Sequence, residues 1–244
     1  MKKMFLLACT LCLSVCAMAQ TAFYVCKTDG SRVEYAIADV DSISFTTLKN
    51  GTENGYEWVD LDLPSSTLWA TCNVGANSPE EYGDYFAWGE TAPKDYYDWD
   101  TYKFTTDGGT TFTKYNATDG KTTLDPEDDA AAVNWGGRWH MPTNAEWAEL
   151  INECTWTWVK GYNGTDKNGY EITSKTNGNS IFLPAAGSRS IDGLVRAGNY
   201  GYYWSSSLYT DYPYRAWYVY FSSDYVGRDY VIRFDGLSVR PVLF

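Results

Sequence analysis

The amino-acid sequence predicts an α+β fold in which many short antiparallel strands surround two helices. From Tyr56 to Phe244, short segments that alternate apolar and polar residues are separated by Gly, Asn, Asp and Thr. Only two segments carry helix-start signals, and two helices among many strands favour α+β over α/β. A hydrophobic content of 44% and an aromatic content of 17% can fill a large core, in one domain or two.

Residues 1–19 are predicted to be a signal peptide. Two lysines precede an apolar run from Phe5 to Cys16, and the small-residue signal Ala17-Met18-Ala19 follows. The run is shorter than the roughly 20 residues of a spanning helix. We therefore expect an exported protein at the cell surface or outside the cell. A lipid anchor is the less favoured alternative, because Val15 precedes Cys16 where acylation needs a small residue.

The cysteines that follow the signal peptide are Cys26, Cys72 and Cys154. An odd number cannot all pair within one chain. Buried, unpaired thiols are the favoured interpretation, and a bridge between Cys72 and Cys154 stays open.

The net charge of −12 excludes two classes of partner. An acidic chain repels nucleic-acid phosphates and anionic membrane surfaces. After the signal peptide, no segment is long and apolar enough to span a bilayer. No nucleic acid, transmembrane segment or cofactor is expected, and the oligomeric state is left open.

Residues 20–50 are predicted to form a small N-terminal β segment with its linker, ahead of a main domain at 56–244. Two alternating stretches flank Asp29-Gly30, a favourable hairpin dipeptide. "DVDSISF" predicts a third short strand, and residues 49–55 form a polar linker. Because so short a piece cannot hold a core alone, it either docks on the main domain or acts as a spacer.

The clearest helix signal is "MPTNAEWAELINEC". Thr143 and Glu146 have the spacing of a capping box. The residues expected on the buried side of this helix are Ala145, Trp147, Leu150, Ile151 and Cys154. A weaker helix is predicted near "DPEDDAAAVNW", where Asp125, Glu127 and Asp128 suit a helix N-terminus. The stretch from Lys94 to Lys121 is predicted to be an irregular loop over the core.

Five sequence blocks resemble the FISUMP (Fib-succ-major paralogous) domain of bacterial surface proteins. They are "WVDLDLPSSTLWATCNVGANSPEEYGDYFAWGET", "WGGRWHMPTNAEWAEL", "IFLPAAGSR", "YGYYWSSS" and "GLSVRPV". That family is similar to the C-type-lectin-like fold of formylglycine-generating enzymes. The residues that match the helix start and terminal strand of that fold are Arg138, Pro142, Thr143, Glu146, Trp147, Gly236, Val239 and Arg240. The resemblance implies a C-type-lectin-like scaffold.

Catalysis and metal binding are not expected. No cysteine follows Cys154, so the cysteine pair of the formylglycine-generating enzymes is missing. His140 is the only histidine, and it is interpreted as a hydrogen-bonded scaffold residue. The carboxylates of "DPEDDA" lack the spacing of a calcium loop and are interpreted as a helix start.

The segment from Tyr209 to Val242 is the strongest candidate for a binding surface. Seven tyrosines lie between Tyr209 and Tyr230, interleaved with Asp, Ser, Gly and Arg. Antibody loops favour this composition, since rigid amphipathic rings supply contact area and small polar residues supply adaptable hydrogen bonds. In "AWYVYFS", Trp217, Val219 and Phe221 are predicted to face the core.

The same segment resembles the variable proteins of diversity-generating retroelements. After Lys175 the chain contains no Lys, Glu, Gln or Met, which are residues that mutated Asn codons of the form NNY cannot encode. The candidate ligand-contact positions are Tyr209, Asp211, Tyr212, Tyr214, Tyr218, Tyr220, Ser222, Asp224, Tyr225, Gly227, Asp229, Tyr230, Arg233 and Asp235. An ordinary pair of family strands with surface tyrosines is the alternative interpretation.

These observations predict a non-catalytic adhesion or ligand-binding module. Its partner would be a protein or a glycan at a surface. A structural or fimbria-associated subunit without a dedicated ligand is the second hypothesis, and a glycan-acting hydrolase is the third.

Overall fold

Antiparallel strand pairs joined by turns make up most of the computed structural model, which describes residues 22–26, 31–36, 38 and 50–244. The chain divides into two compact units, residues 1–47 and residues 48–244. Strands predominate, with two α-helices among the described residues, so the predicted α+β class is confirmed. The signal peptide and the strand predicted at "DVDSISF" lie outside the described residues.

In the first unit, β1 (Ala22–Cys26) pairs with β2 (Arg32–Ala36). The pairing is antiparallel and places Ala22 opposite Ala36. This is the pairing that the Asp29-Gly30 dipeptide predicts for a hairpin.

The second unit begins with a sheet whose order is β14-β5-β4-β3. Its strands are β3 (Asn50–Glu53), β4 (Tyr56–Asp60), β5 (Leu68–Ala70) and the C-terminal β14 (Val242–Leu243). Residues 50–53, predicted to be linker, are therefore a strand. Asn54 and Gly55 connect β3 to β4 with φ angles of 53° and 85°, which suit a tight hairpin turn.

Two helices follow the irregular region. They are α1 (Ala130–Trp135) and α2 (Asn144–Glu153). In α2 the predicted capping box is present: the Glu146 amide donates to Thr143 Oγ1 over 3.2 Å, and the Thr143 amide donates to the Glu146 carboxylate over 2.7 Å. The cap of α1 is Asp129, whose carboxylate accepts from the Ala131 and Ala132 amides.

The buried side of α2 was only partly predicted. Trp147 and Leu150 are fully buried. Ala145 is exposed, so its predicted burial is wrong, and Ile151 is half-buried. Cys154 is buried, but it is the first residue of β6 because the helix has already ended.

Three further sheets complete the unit. The first contains β6 (Cys154–Val159), β7 (Gly169–Ser174) and β8 (Ser180–Pro184). The second is a two-stranded hairpin of β9 (Ser188–Ser190) and β10 (Gly193–Val195). The third contains β11 (Gly201–Leu208), β12 (Arg215–Ser222) and β13 (Tyr225–Ile232). Strand β12 lies in the middle of the last sheet.

The β11–β12–β13 sheet lies between two hydrophobic clusters. Adjacent β11 residues Tyr203 and Trp204 are both fully buried, one in each cluster, as alternation along a strand requires. Trp147 of α2 packs in the same cluster as Tyr203, with ring centroids 6.0 Å apart. Residues 94–121 have little regular structure, as predicted, but they contribute buried aromatic rings to the Trp204 cluster, including Tyr97, Tyr102 and Tyr115.

The C-terminal segment 236–243 holds several of these pieces together. Leu237 bridges to Phe86, Ser238 to Tyr203, and Val242 to Trp69 of β5. Arg240 is fully buried and donates hydrogen bonds to Asn73 Oδ1 and to the backbone carbonyls of Ala70, Thr71 and Phe182.

In the part of the chain that the structure describes, no helix has both the length and the apolar character needed to cross a bilayer.

We expect Arg240→Met to lower the free energy of unfolding by about 3–5 kcal/mol, because it leaves several buried acceptors without donors. The matched control is Arg228→Met, at an exposed arginine that donates to Asn144 at the start of α2. The control should cost less than about 1 kcal/mol. Urea unfolding of the two variants measures both values, and equal small losses would contradict the role assigned to Arg240.

Candidate ligand-binding face

Five tyrosine rings form a continuous row across one face of the β11–β12–β13 sheet and its edge. This tyrosine ladder consists of Tyr200, Tyr202, Tyr218, Tyr220 and Tyr225. In that order, successive ring centroids lie 6.1, 6.0, 5.7 and 5.0 Å apart. The angles between successive ring planes range from 16° to 30°. Each ring is therefore stacked on, or tilted by about 30° from, its neighbour in the row.

Antiparallel pairing produces the ladder. Tyr202 of β11 lies directly opposite Tyr220 of β12, and Tyr218 lies two residues away on the same face. The turn from β12 to β13 then brings Tyr225 opposite Ser222, which extends the row. The ladder face also carries Gly227 and Asp229, which lie opposite Tyr220 and Tyr218.

The two ends of the ladder are exposed and its middle is supported by the core. Tyr200 is 37% exposed and Tyr225 is 49% exposed, whereas Tyr202 is only 9% exposed. Tyr218 and Tyr220 are half-buried and pack against the Trp204 cluster. A hydrogen bond with Tyr225 raises the pKa of Tyr220 to about 12, so this phenol is uncharged at neutral pH. The ladder thus presents a fixed, amphipathic aromatic surface.

A cleft of about 400 Å³ opens beside the ladder. The β9–β10 hairpin and the residue that follows it form one wall, while Tyr202, Tyr218 and Asp235 form part of the other. The polar residues lining the cleft are Ser188, Ser190, Asp192, Arg196, Tyr202, Tyr218 and Asp235. A cleft of this volume is within the range that holds small molecules or single side chains.

Asp235 is the unusual group in the cleft. Burial raises the pKa of its carboxyl to about 6. Among the described residues, no side chain or backbone amide donates a hydrogen bond to this carboxylate, and no cation forms an ion pair with it. Asp235 is half-buried, so partial burial disfavours its charged form while its oxygens remain open to the cleft. The chain therefore holds a carboxylate without a protein partner beside the aromatic row.

Arg196 does not compensate Asp235. Its guanidinium Nη1 donates to Tyr202 Oη over 2.8 Å, and the group lies 5.4 Å from the centroid of the Tyr200 ring. Both Arg196 and Asp192 are exposed at the rim of the cleft.

The remaining predicted tyrosines form a second aromatic cluster on the opposite face of the same sheet. Tyr209 and Tyr230 are stacked with centroids 3.8 Å apart, and Trp217 meets both rings edge-on. The cluster also contains Tyr212, Tyr214 and Arg215. Trp217 shares its face with Val219 and Phe221, as predicted, but it is half-buried rather than buried.

The structure therefore divides the predicted contact positions. Those on the ladder face, its turn or the cleft are Tyr218, Tyr220, Ser222, Asp224, Tyr225, Gly227, Asp229 and Asp235. Those in the second aromatic cluster or its exposed loop are Tyr209, Asp211, Tyr212, Tyr214 and Tyr230. A single ligand footprint does not include both groups, since they lie on opposite sides of the sheet.

Arg233 belongs to neither group, because its side chain is fully buried. Its guanidinium donates to Tyr102 Oη over 2.7 Å and to the carbonyls of Lys114, Tyr115 and Pro213. The prediction of an outward-facing contact at Arg233 is therefore corrected. Strand alternation placed it outside, but β13 ends at Ile232, so alternation no longer determines where the side chain points.

Sequence reasoning missed the part of this site that precedes Tyr209. Tyr200, Tyr202, Asp192 and Arg196 were not predicted as site residues. Tyr202 stands in the "YGYYWSSS" block, which was assigned to the scaffold. The signal that could have identified it is the register with β12, which the sequence does not show.

The other candidate chemical groups are engaged in local interactions. His140 Nδ1 lies 3.2 Å from the Arg138 carbonyl, and its Nε2 lies 3.6 Å from the Glu146 carboxylate. Burial opposes protonation, but the interaction with Glu146 raises the pKa of His140 above its ordinary value. Its surroundings are the helix cap of α2, as expected for a scaffold residue.

Asp125, Glu127 and Asp128 bring carboxylate oxygens within 4.8 Å of one another. Lys114 forms ion pairs with all three, and Lys103 and Lys121 add further pairs. The cluster is thus a mixed-charge network beside the start of α1.

Cys72 and Cys154 are both unpaired. Cys154 is buried, and this burial raises the pKa of its thiol to about 11, which disfavours the reactive thiolate. The bridge between these two cysteines, left open by the sequence, is absent.

Residues 160–242 match the model of a family described as a domain of unknown function, DUF8237. The match covers about a third of the chain, from just before β7 to the start of β14, and includes the tyrosine ladder and the cleft. No curated protein and no solved structure matches the chain.

We expect Asp235→Asn to change the free energy of unfolding by about 2 kcal/mol more in the stabilising direction at pH 8 than at pH 4. Because the folded-state pKa of Asp235 is raised from 3.8 to about 6, its contribution to stability is fully present below pH 3.8 and is lost as pH rises from there through about 6. The neutral amide does not undergo this loss. Urea unfolding at the two pH values measures the difference, with Asp62→Asn at an exposed carboxylate as the control. Equal effects of Asp235→Asn at both pH values would show that the carboxylate is not desolvated.

Proposed function

We propose that this chain is an exported bacterial surface protein that binds a protein ligand non-covalently on its tyrosine ladder, without catalysis. The proposal assigns a C-type-lectin-like scaffold to residues 56–244, on the basis of the FISUMP resemblance. The observation that carries it is the continuous row of five tyrosines beside a cleft whose Asp235 carboxylate has no protein partner.

The physical properties of the ladder suit protein recognition. Tyrosine is enriched among the residues that dominate binding energy at protein interfaces, where rings pack in desolvated surroundings and hydroxyls form hydrogen bonds. The middle rings are held by the core, so little conformational entropy is lost on binding. Small and acidic residues around the rings, such as Ser222, Asp224 and Asp229, supply adaptable polar contacts.

An extended row favours a protein over a sugar as the ligand. A sugar ring needs one or two aromatic faces, whereas five rings that extend from the start of β11 across β12 to the start of β13 provide a broad surface. The ladder also combines exposed ends with a half-buried middle, which resembles the packed centre and accessible rim of a protein interface.

Diversification by a retroelement is part of the proposal. Thirteen of the fourteen candidate positions, all except Arg233, are half-buried or exposed, as variable positions must be if substitutions are to leave the fold intact. Asp235 lines the cleft, and the fully buried Arg233 is assigned to the invariant scaffold.

The two faces of the sheet allow a matched test of ligand binding. Tyr225 on the ladder is 49% exposed and Tyr212 in the second aromatic cluster is 50% exposed. Wild-type protein would be screened on arrays of purified surface proteins and of glycans, and each bound ligand would be titrated by calorimetry. We expect a protein ligand whose affinity falls about tenfold or more in Tyr225→Ala, as for an exposed aromatic ring that the ligand covers, and stays unchanged in Tyr212→Ala.

If Tyr212→Ala loses binding while Tyr225→Ala keeps it, the binding site lies on the second aromatic cluster. If ligands are found only on the glycan array, the partner is a carbohydrate and not a protein. Polymer formation without capture of any ligand would favour the structural-subunit hypothesis.

The encoding DNA tests diversification separately. We expect a reverse-transcriptase gene beside this gene and a nearby repeat that matches the codons for residues 209–235 except at adenines. The codons at the exposed candidate positions should end in a pyrimidine, whereas the codon for Arg233 should match the template. Sequencing the locus tests this expectation. A locus without such a repeat would contradict diversification and favour an ordinary pair of family strands with surface tyrosines.

A further inference from the structure

The cleft beside the tyrosine ladder has the chemistry of a receptor for one positively charged side chain. It is lined by two carboxylates, two phenols and two serine hydroxyls, and its only cationic group is Arg196 among the residues that line it. Arg196 donates to Tyr202 Oη, and no group among the described residues donates to the half-buried carboxylate of Asp235.

We propose that this cleft binds the guanidinium group of an arginine side chain presented by the partner protein. A guanidinium group offers five donors in a planar fork, which matches a carboxylate bordered by phenol and hydroxyl oxygens. The methylene stem of the arginine would pack along the rings of Tyr202 and Tyr218, which form the aromatic part of the wall. This inference rests on the proposed function, because the arginine belongs to the ligand of the ladder.

The charge around the cleft supports a cationic occupant. Asp192 and Asp235 line it, and Asp229 lies on the ladder face opposite Tyr218. Arg196 is the cation that faces them, so the surroundings carry a net negative charge when all groups are ionised. The whole chain also has a net charge of −12, which attracts basic partners over longer distances.

The desolvation of Asp235 favours a charged donor over a neutral hydroxyl. A half-buried carboxylate without a protein partner gains most from a ligand group that brings an opposite charge and hydrogen bonds together. Because burial raises the pKa of Asp235 to about 6, the carboxylate is present above that pH and neutral below it. Arginine binding is therefore expected at pH 8 and weakened at pH 5.

The test uses small probes with the full-length chain, so it does not require the partner. Nα-acetyl-arginine methylamide would be titrated at pH 8 while amide resonances of the chain are followed by NMR. The citrulline analogue has nearly the same shape without the charge, and methyl glucoside represents a neutral sugar. We expect arginine to shift resonances near the cleft, such as Gly193 and Gly236, and to bind about tenfold or more tightly than citrulline.

Two variants locate the interaction. Asp235→Asn should abolish the preference for arginine over citrulline, and Tyr218→Phe should weaken arginine binding while keeping the ring. Asp62→Asn, an exposed carboxylate that does not line the cleft, should behave as wild type.

Equal binding of arginine and citrulline, stronger binding of methyl glucoside, or no shift near the cleft at millimolar arginine would each overturn the inference. None of these outcomes affects the Tyr225 and Tyr212 test, which measures the ladder with the macromolecular ligand. Conversely, if no protein ligand binds the ladder, the arginine titration can still be interpreted, because it does not need the partner. The failure of the cleft and the failure of the proposed function are therefore distinguishable.

Discussion

The buried guanidinium of Arg240 is the interaction on which the arrangement of the second unit depends. It donates hydrogen bonds to the side-chain oxygen of Asn73 and to backbone carbonyls at the end of β5, at the residue after β5 and in β8. Strands β5 and β8 belong to separate sheets. A buried charge is tolerated only when its donors are satisfied, so these segments must meet at one place. The same terminal segment bridges to Phe86 and Tyr203 and ends in β14 beside β5. Residues from the two ends of the unit thereby enclose the β11–β12–β13 sheet.

Enclosure of this sheet explains how a tyrosine-rich segment can be both scaffold and surface. The sheet has a hydrophobic cluster on each side, so Val219 and Phe221 are buried on one face while Ala216 is buried on the other. The middle rings of the ladder rest on the buried part of their face, and its two ends, Tyr200 and Tyr225, are exposed. The second aromatic cluster occupies the other face near Trp217. Aromatic rings that are adjacent in sequence therefore lie on opposite faces of the sheet.

Asp235 illustrates a conflict between stability and binding. Its carboxylate sits where burial disfavours charge, yet no described residue pairs with it. Arg233, two residues earlier, is fully buried, and its donors find a phenol and three carbonyls, whereas Asp235 is half-buried. An unsatisfied acidic group in a cleft is instead consistent with a partner that supplies the missing donors.

The sequence by itself determined the α+β class, the α2 capping box and the alternation of β12. These features depend on neighbours within a few residues, and Thr143 with Glu146 is an example. The two faces of aromatic residues, the cleft and the burial of Arg233 were decided only by tertiary structure. Tyr202 joins the ladder because β11 pairs with β12 in one register, and Asp235 meets the β9–β10 hairpin from a point more than forty residues away in the chain. Such contacts depend on strand register and packing between distant segments, which local sequence patterns do not encode.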